Sequence, residues 1–282
     1  MKVTDGSSPK PGQYPAMASG HCPNCGDRFK RLGQHWTTSA TCSHPPFSKA
    51  QTEIILGTML GDGSIHDPPS ARNVRFQVTS INRRFLQWMA DELGIHSNEV
   101  SLHRVADTIE AQNQKSAPER LASGDYNIRD QYVLTTTRHP ELNGFRDWYG
   151  DQKRFPDNLK LSPTVLGLWY ACDGSLRWGT KGHQRPQAWI AATNEADRES
   201  YLGQLFESTP CDPTINDGRI MFTSDDTERL FEYIDAAPPG FEYKFETVSR
   251  ERYFERKEAF YRRNTTTNAT DGSSTTGGDR RS

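Results

Sequence analysis

One short pattern occurs twice in this chain and constrains everything around it. Ile55–Gly63 reads ILGTMLGDG and Leu166–Gly174 reads LGLWYACDG, each an apolar run that ends in Asp-Gly-Ser. Runs this apolar on every side suit helices buried in a core. Thr52 before Glu53, and Ser162-Pro163, supply N-terminal signals, while Gly63 and Gly174 suit the left-handed position that closes a helix. Small residues recur four apart, at Gly57 and Gly61 and at Gly167 and Ala171. That spacing puts each pair on one face, where two helix backbones can approach closely.

The segments after each run repeat as well. Strand-like alternation at Val74–Thr79 and Gln187–Thr193 precedes amphipathic helices at Asn82–Leu93 and Glu195–Phe206. Further strands at Tyr132–Thr137 and Arg219–Thr223 precede helices at Glu141–Tyr149 and Asp225–Ile234. The order predicts an α+β chain of two pseudo-symmetric αββαββα halves, 48–160 and 161–263, related by an approximate twofold axis. Arg104–Asp130 is longer and more polar than the repeat needs and reads as an insertion loop.

Pairing the two apolar helices brings Asp62 and Asp173 to one place. Two carboxylates about 5 Å apart repel by roughly 3 kcal/mol at an effective dielectric near 20, and each faces the negative end of a helix dipole. A divalent cation reverses both effects, and carboxylate, carbonyl and water oxygens suit Mg²⁺. Paired acids around such a cation are a recurrent device for phosphodiester hydrolysis. One Asp-Gly-Ser is ordinary turn chemistry; two, each behind a small-residue helix, are not.

These motifs resemble those of single-chain LAGLIDADG homing endonucleases. LGLWYACDG is similar to the branch whose motif runs Leu-Ala-x-Trp-Phe/Tyr-Met-Asp-Asp-Gly, and the likeness continues through ELNGFRDWYG, DQKRFPDNLKLSPTVLGLWY and GFEYKF, over about 50–250. The resemblance implies two sheets forming a β-saddle around two paired LAGLIDADG helices. It implies Asp62 and Asp173 as Mg²⁺ ligands, with the carbonyls of Gly61 and Cys172 beside them, and Lys153 and Lys244 in the catalytic water network. It also implies a monomeric, site-specific nuclease that breaks both strands of duplex DNA within a long asymmetric site, leaves short 3′ overhangs, and mobilises an intron or free-standing gene. One departure is Cys172, where that branch often carries a second Asp; it reads as a small buried hydrophobe. Both metal acids are retained, which weighs against two alternatives on the same scaffold, an RNA-splicing maturase and a non-cleaving zinc-finger DNA-binding regulator.

Arg75, Gln77 and Thr79 alternate with apolar residues on the first strand, and Gln187 opens its counterpart in the second half. Arg and Gln fit the edges of guanine and adenine, so Arg72, Arg75, Gln77, Arg177, Arg185 and Gln187 are the candidate DNA contacts. A basic helix over Thr247–Arg263 carries Tyr253, Phe254, Phe260 and Tyr261, an aromatic side suited to packing on the body.

A separate module at 21–46 contains Cys22-x-x-Cys25, His35, Cys42 and His44. Its spacing predicts a Zn²⁺ site of Cys22, Cys25, His35 and Cys42, with His44 the alternative fourth ligand. Phe29 and Leu32 are too little core for about 25 residues without a metal. Five Cys with three in this module argue for a reducing compartment rather than a disulfide framework. Arg28, Lys30 and Arg31 lie between the ligands and are suited to DNA contact beside the main site, a protein partner being the other option.

Residues 1–20 and 264–282 are polar, low-complexity segments expected to be disordered. The net charge of −2 hides an uneven distribution: six Lys or Arg against two acids in 1–49, eight against five in 250–282, and 20 against 29 between. Global attraction to nucleic acid is therefore weak, and contact must come from local basic stripes. Arg outnumbers Lys 24 to 10, which with the acidic middle fits a high-salt host. No apolar stretch approaches the roughly 18 residues of a membrane span, and the first twenty lack a signal-peptide block, so a cytoplasmic protein of prokaryotic or viral origin is expected.

Overall fold

The computed structural model describes residues 17–116, 128–179 and 185–264. A two-stranded hairpin, β1 (Gly20–His21) and β2 (Arg28–Phe29), with helix α1 (Leu32–Thr38), forms the N-terminal module. Helix α2 (Lys49–Leu60) leads into β3 (Gly63–His66), β4 (Arg75–Ser80), α3 (Arg83–Leu93), β5 (Ser101–Arg104), α4 (Ala106–Ser116) and β6 (Gln131–Thr135). The second half begins with α5 (Pro163–Asp173) and continues through β7 (Gly174–Arg177), β8 (Gln187–Ala191), α6 (Glu199–Phe206), β9 (Thr214–Asn216), β10 (Arg219–Met221), α7 (Ser224–Ile234) and α8 (Arg250–Arg263).

The strand orders are β3-β4-β6-β5 and β7-β8-β10-β9, all pairs antiparallel. Taken in chain order within each half, both sheets run first-second-fourth-third. The duplication expected from the two motifs is thus present in the topology of both sheets. One continuous core runs from α2 and α5 through the inner faces of both sheets, with Trp169, Tyr170 and Phe76 among its largest fully buried side chains.

Several local expectations are corrected. Helix α2 is capped four residues before Thr52, by Ser48, whose hydroxyl accepts the Gln51 N–H while the Gln51 side chain accepts the Ser48 N–H. That reciprocal capping box outcompetes a lone threonine. The segment expected as a helix over Glu141–Tyr149 is a 3-10 turn series, Pro140–Trp148, and α6 begins only at Glu199, after a 3-10 turn at Thr193–Glu195. Arg104–Asp130 is not all loop, because α4 occupies its first part; 117–127 fall outside the described residues. Helix α8 does bury its aromatic side: Tyr253 packs at a tilt against Trp178, and Phe260 sits against Phe241 and Tyr243. Phe254 stays exposed. Of the segments expected to be disordered, 1–16 and 265–282 lie outside the described residues, whereas 17–20 are ordered, with Ala18 buried and bonded to Asn98 and Gly20 opening β1.

The N-terminal module docks on the first half through a buried seam. The Asn98 carboxamide donates to Thr135 Oγ1 and the Thr136 carbonyl and accepts the Ala18 N–H, all within 3.1 Å. A Cβ on Gly33 would lie 3.0 Å from Thr137 Cβ, so α1 rests directly on the end of β6. Trp36, Phe47, His44, His96 and His139 pack ring against ring around this point. His139 donates from Nε2 to the Pro45 carbonyl and accepts the Glu141 N–H at Nδ1, which makes it neutral.

Burial pushes His96 down to about 4, and any protonation of its neighbours His139 and His44 opposes its charging further. The unfolded chain, with an ordinary pKa near 6.5, takes up this proton first as pH falls. Stability is therefore full above about pH 6.5 and drains away between there and about pH 4. His96 is 2% exposed, so the effect is felt nearly in full: about 2 kcal/mol between pH 7 and pH 5. Urea titrations at both values should show that loss in wild type and a smaller one in His96→Gln; equal losses would remove His96 as the cause.

Candidate active site

Helices α2 and α5 pack against each other along their length. At Gly57 backbone meets backbone: a Cβ there would fall 2.7 Å from the Val165 carbonyl oxygen and 2.9 Å from Leu168 Cβ. One turn later a Cβ on Gly61 would overlap Cys172 Cβ at 2.4 Å and lie 3.1 Å from Asp173 Oδ2. Gly57 and Gly61 thus do what their spacing predicts. Gly167 does not, because it faces Ile234 of α7 rather than α2. A helix apolar on all sides offers small residues to two neighbours, and spacing alone does not choose between them.

Gly63 and Gly174 also differ from expectation. Neither has positive φ; both open a strand. Gly174 is required because its Cβ would meet the Tyr170 ring and carbonyl at 2.2 and 2.3 Å, and a Cβ on Gly63 would crowd the Thr58 carbonyl and the Phe76 ring. Helix and strand turn so tightly at these points that the aspartate before each glycine is held at the helix end.

Asp62 and Asp173 meet there. Burial, then repulsion from Asp62, pushes Asp173 up to about 7. Burial of its carboxylate in this cluster raises Asp62 as well, while Lys244, Cys172 and Lys153 hold it back. Cys172 is half-buried beside Asp62 and helps stabilise that carboxylate, so it is a polar neighbour of the acids and not the buried hydrophobe expected. Its own thiol is pushed up strongly by burial and by Asp62.

Lys153 and Lys244 enter the same cluster. Lys153 donates to the carbonyls of Gly61 (3.2 Å) and Gly63 (2.8 Å), and Lys244 donates to the Ala171 carbonyl (2.7 Å). Burial pulls both ammonium groups down, and the two carboxylates and Cys172 pull them back. The carbonyl engaged in the second half is therefore that of Ala171, one residue before Cys172.

Residues that composition did not single out fix these positions. Tyr170 donates its hydroxyl to the Lys244 carbonyl at 3.0 Å. Glu195, fully buried, accepts the Phe155 N–H and pairs with Arg198, while Arg154 pairs with Asp197. The second half thereby grips the segment that carries Lys153. Trp169 turns its indole N–H toward Asp173 without reaching hydrogen-bond geometry. Tyr170 was open to detection as an aromatic four residues before an obligatory glycine; Glu195 had no local signal.

The profile of the LAGLIDADG DNA endonuclease family matches residues 52–200. The chain belongs to that family. Among solved structures, the homing endonuclease I-WcaI bound to its DNA recognition sequence matches with a TM-score of 0.59 and 13% identity, over 77% of this chain and 92% of that one. The LAGLIDADG meganuclease I-CpaMI bound to uncleaved DNA matches with a TM-score of 0.34 and 10% identity, over 76% and 91%. The first of these likenesses shows the fold. No curated sequence relative matches the chain.

In this LAGLIDADG chain, register identifies the open face of each sheet. Arg75, Gln77 and Thr79 alternate with buried Phe76 and Val78, and they pair with His66, Ser64 and Val133. Cross-strand partners share a face, so His66 and Ser64 join them. In the second sheet Arg177 pairs with Gln187, Ser175 with Trp189 and Arg219 with Ala191. Arg72 is exposed just before β4. Arg185 is drawn elsewhere, to Asp225 and Glu228 of α7. Trp189 and Arg219 were legible from the same two-residue alternation but were not singled out.

The Cys/His module forms a Cys3His cluster. The ligand atoms of Cys22, Cys25, His35 and Cys42 all lie within 4.8 Å of one another, and Cys25 Sγ is 3.8 Å from His35 Nε2. Bonds of 2.3 Å to sulfur and about 2.05 Å to nitrogen give a tetrahedral edge of about 3.6 Å, so the donor set fits zinc. His44 instead packs against Trp36 and His139. Burial raises the Cys22 thiol, but the N–H of Cys25 and the Trp36 indole outweigh it and bring it down to about 6, toward the thiolate a metal needs. Among the described residues no helix is long and apolar enough to cross a membrane.

Proposed function

We propose that the protein is a monomeric, site-specific endonuclease that hydrolyses both strands of duplex DNA with Mg²⁺ held by Asp62 and Asp173. The observation that carries this reading is the convergence of two carboxylates and two ammonium groups at the paired helix ends. Burial raises both acids, and Asp62 raises Asp173 further; their oxygens fit a hard divalent cation. Such a cation, when bound, acts as a Lewis acid on phosphate oxygens and makes its water more acidic. Lys153 and Lys244 hold their ammonium groups beside the acids, where they orient water and offset charge developing on the phosphate. The carbonyls of Gly61 and Cys172 complete the ligand set in this reading, with Gly61 shared with Lys153.

The open sheet faces saddle the duplex, with Arg72, Arg75, Gln77, Arg177 and Gln187 as the base- and phosphate-reading side chains. Arg185 acts at most at the rim, since two carboxylates already neutralise it. Zn²⁺ in the Cys3His site stabilises the N-terminal module. The halves occupy 48–160 and 161–263.

A randomised duplex pool tests the reading. Binders are selected in Ca²⁺, the ion is exchanged for Mg²⁺, and cut products are sequenced. Cleavage at one long motif is the expected result. A motif that is selected but remains uncut in Mg²⁺ would point to a binding regulator, and failure to enrich any duplex would point to structured RNA and a maturase.

A further inference from the structure

The profile match begins at residue 52, so the Cys3His module lies outside the matched part of the family. Its burial divides cleanly by chemistry. Leu32, Trp36, Cys22 and Cys42 face inward with Phe29 packed against them, while Arg28, Lys30, Arg31 and Gln34 face out. None of the three cations takes part in an ion pair among the described residues, and Asp27 is the only acid in 17–46. This is an uncompensated positive edge on a chain whose middle is acidic.

The edge is also fixed in place. Gly33 rests on Thr137, and the Asn98 carboxamide ties Ala18 to Thr135 and Thr136. Thr135 pairs with Gln77 across the sheet and so shares the face that carries Arg75 and Gln77. Helix α1 therefore extends the open face of the first sheet and does not hang from a tether. A module that served only to cover the seam would need its buried side alone; exposed Arg28, Lys30 and Arg31 add nothing to that role.

We propose that the Cys3His module is a second DNA-contacting surface, in which Arg28, Lys30 and Arg31 grip backbone phosphates of duplex flanking the base pairs read by the first sheet. The occupant follows from charge complementarity and from continuity with that sheet. The contact is to phosphate, so it adds affinity and length to the footprint but little sequence preference. This inference rests on the endonuclease reading above.

The test uses the full-length protein and the duplex recovered from the pool selection, comparing wild type with Arg28→Ala/Lys30→Ala/Arg31→Ala. Zinc content and thermal midpoint establish that the variant is folded. Each lost phosphate contact reduces the slope of log affinity against log salt by about 0.9, so a fall of about two to three is expected. Affinity at moderate salt should drop by roughly tenfold or more, and the hydroxyl-radical footprint should shorten on one flank only. An unchanged slope and footprint in a folded variant would overturn the proposal and leave the module as a structural clamp. Should wild type itself enrich no duplex, the endonuclease reading fails first, so the two failures are separable.

Discussion

Asp173→Asn should lose strand cleavage on the order of a thousandfold and, without metal, gain stability. The first effect follows, on the proposed reading, from removing one of the two carboxylates that would hold the cation. The second follows from the pKa. Asp173 stands at about 7 in the fold against an unfolded value near 3.8. The folded state therefore favours the protonated acid, and the stability this group contributes is present below about pH 4 and lost as pH rises through 7. The full shift corresponds to about 4 kcal/mol; partial solvent access and coupling to Asp62 reduce it to about 2. In EDTA at pH 8 the variant should resist urea better than wild type by about that amount, and at pH 4 the gap should close. A variant less stable than wild type at pH 8 would show that the fold does not disfavour the Asp173 carboxylate.

Gly57→Ala should destabilise the protein by about 2 kcal/mol, against the intrinsic preference of a helix for alanine. Helix propensity favours the change by about 1 kcal/mol. The new methyl would stand 2.7 Å from the Val165 carbonyl oxygen and 2.9 Å from Val165 Cα, and backbone atoms cannot rotate away. Overpacking of this kind costs about 3 kcal/mol, so the steric effect wins. Gly203→Ala is the control: its Cβ would meet nothing nearer than Ile215 Cδ1 at 4.0 Å, so it should be neutral or slightly stabilising. Equal midpoints for the two variants in chemical denaturation would refute close backbone contact at Gly57. Because the same contact sets the spacing of Asp62 and Asp173, cation affinity should fall along with stability.

What was legible in the sequence depended on how far apart the interacting residues lie. The paired helices, the meeting of Asp62 with Asp173 and the Cys3His cluster all rest on motifs whose internal spacing carries the geometry. Gly63 and Gly174 were misread because local turn rules favour a left-handed cap, whereas the rings of Phe76 and Tyr170 set the real requirement. Gly167 was assigned to the wrong neighbour for a similar reason, since nothing local announces Ile234. His44 was a reasonable ligand by spacing; what removes it is a seam with His139, about a third of the chain away. Glu195 and Asn98, which hold the Lys153 segment and the module, make bonds to residues some 40 to 80 positions distant.

The split of the acid pair between the two halves also has a bearing on synthesis. Asp62 and Asp173 are separated by 111 residues, so a ribosome adding about 5 to 20 residues per second needs roughly 6 to 20 seconds to get from one to the other. During that interval α2 has no α5 to lie against, and its glycine face meets no partner. The nascent first half can order its own sheet, yet it holds a single carboxylate at an open helix end. The two-carboxylate centre seen within this chain is therefore assembled only once the second half has emerged and docked.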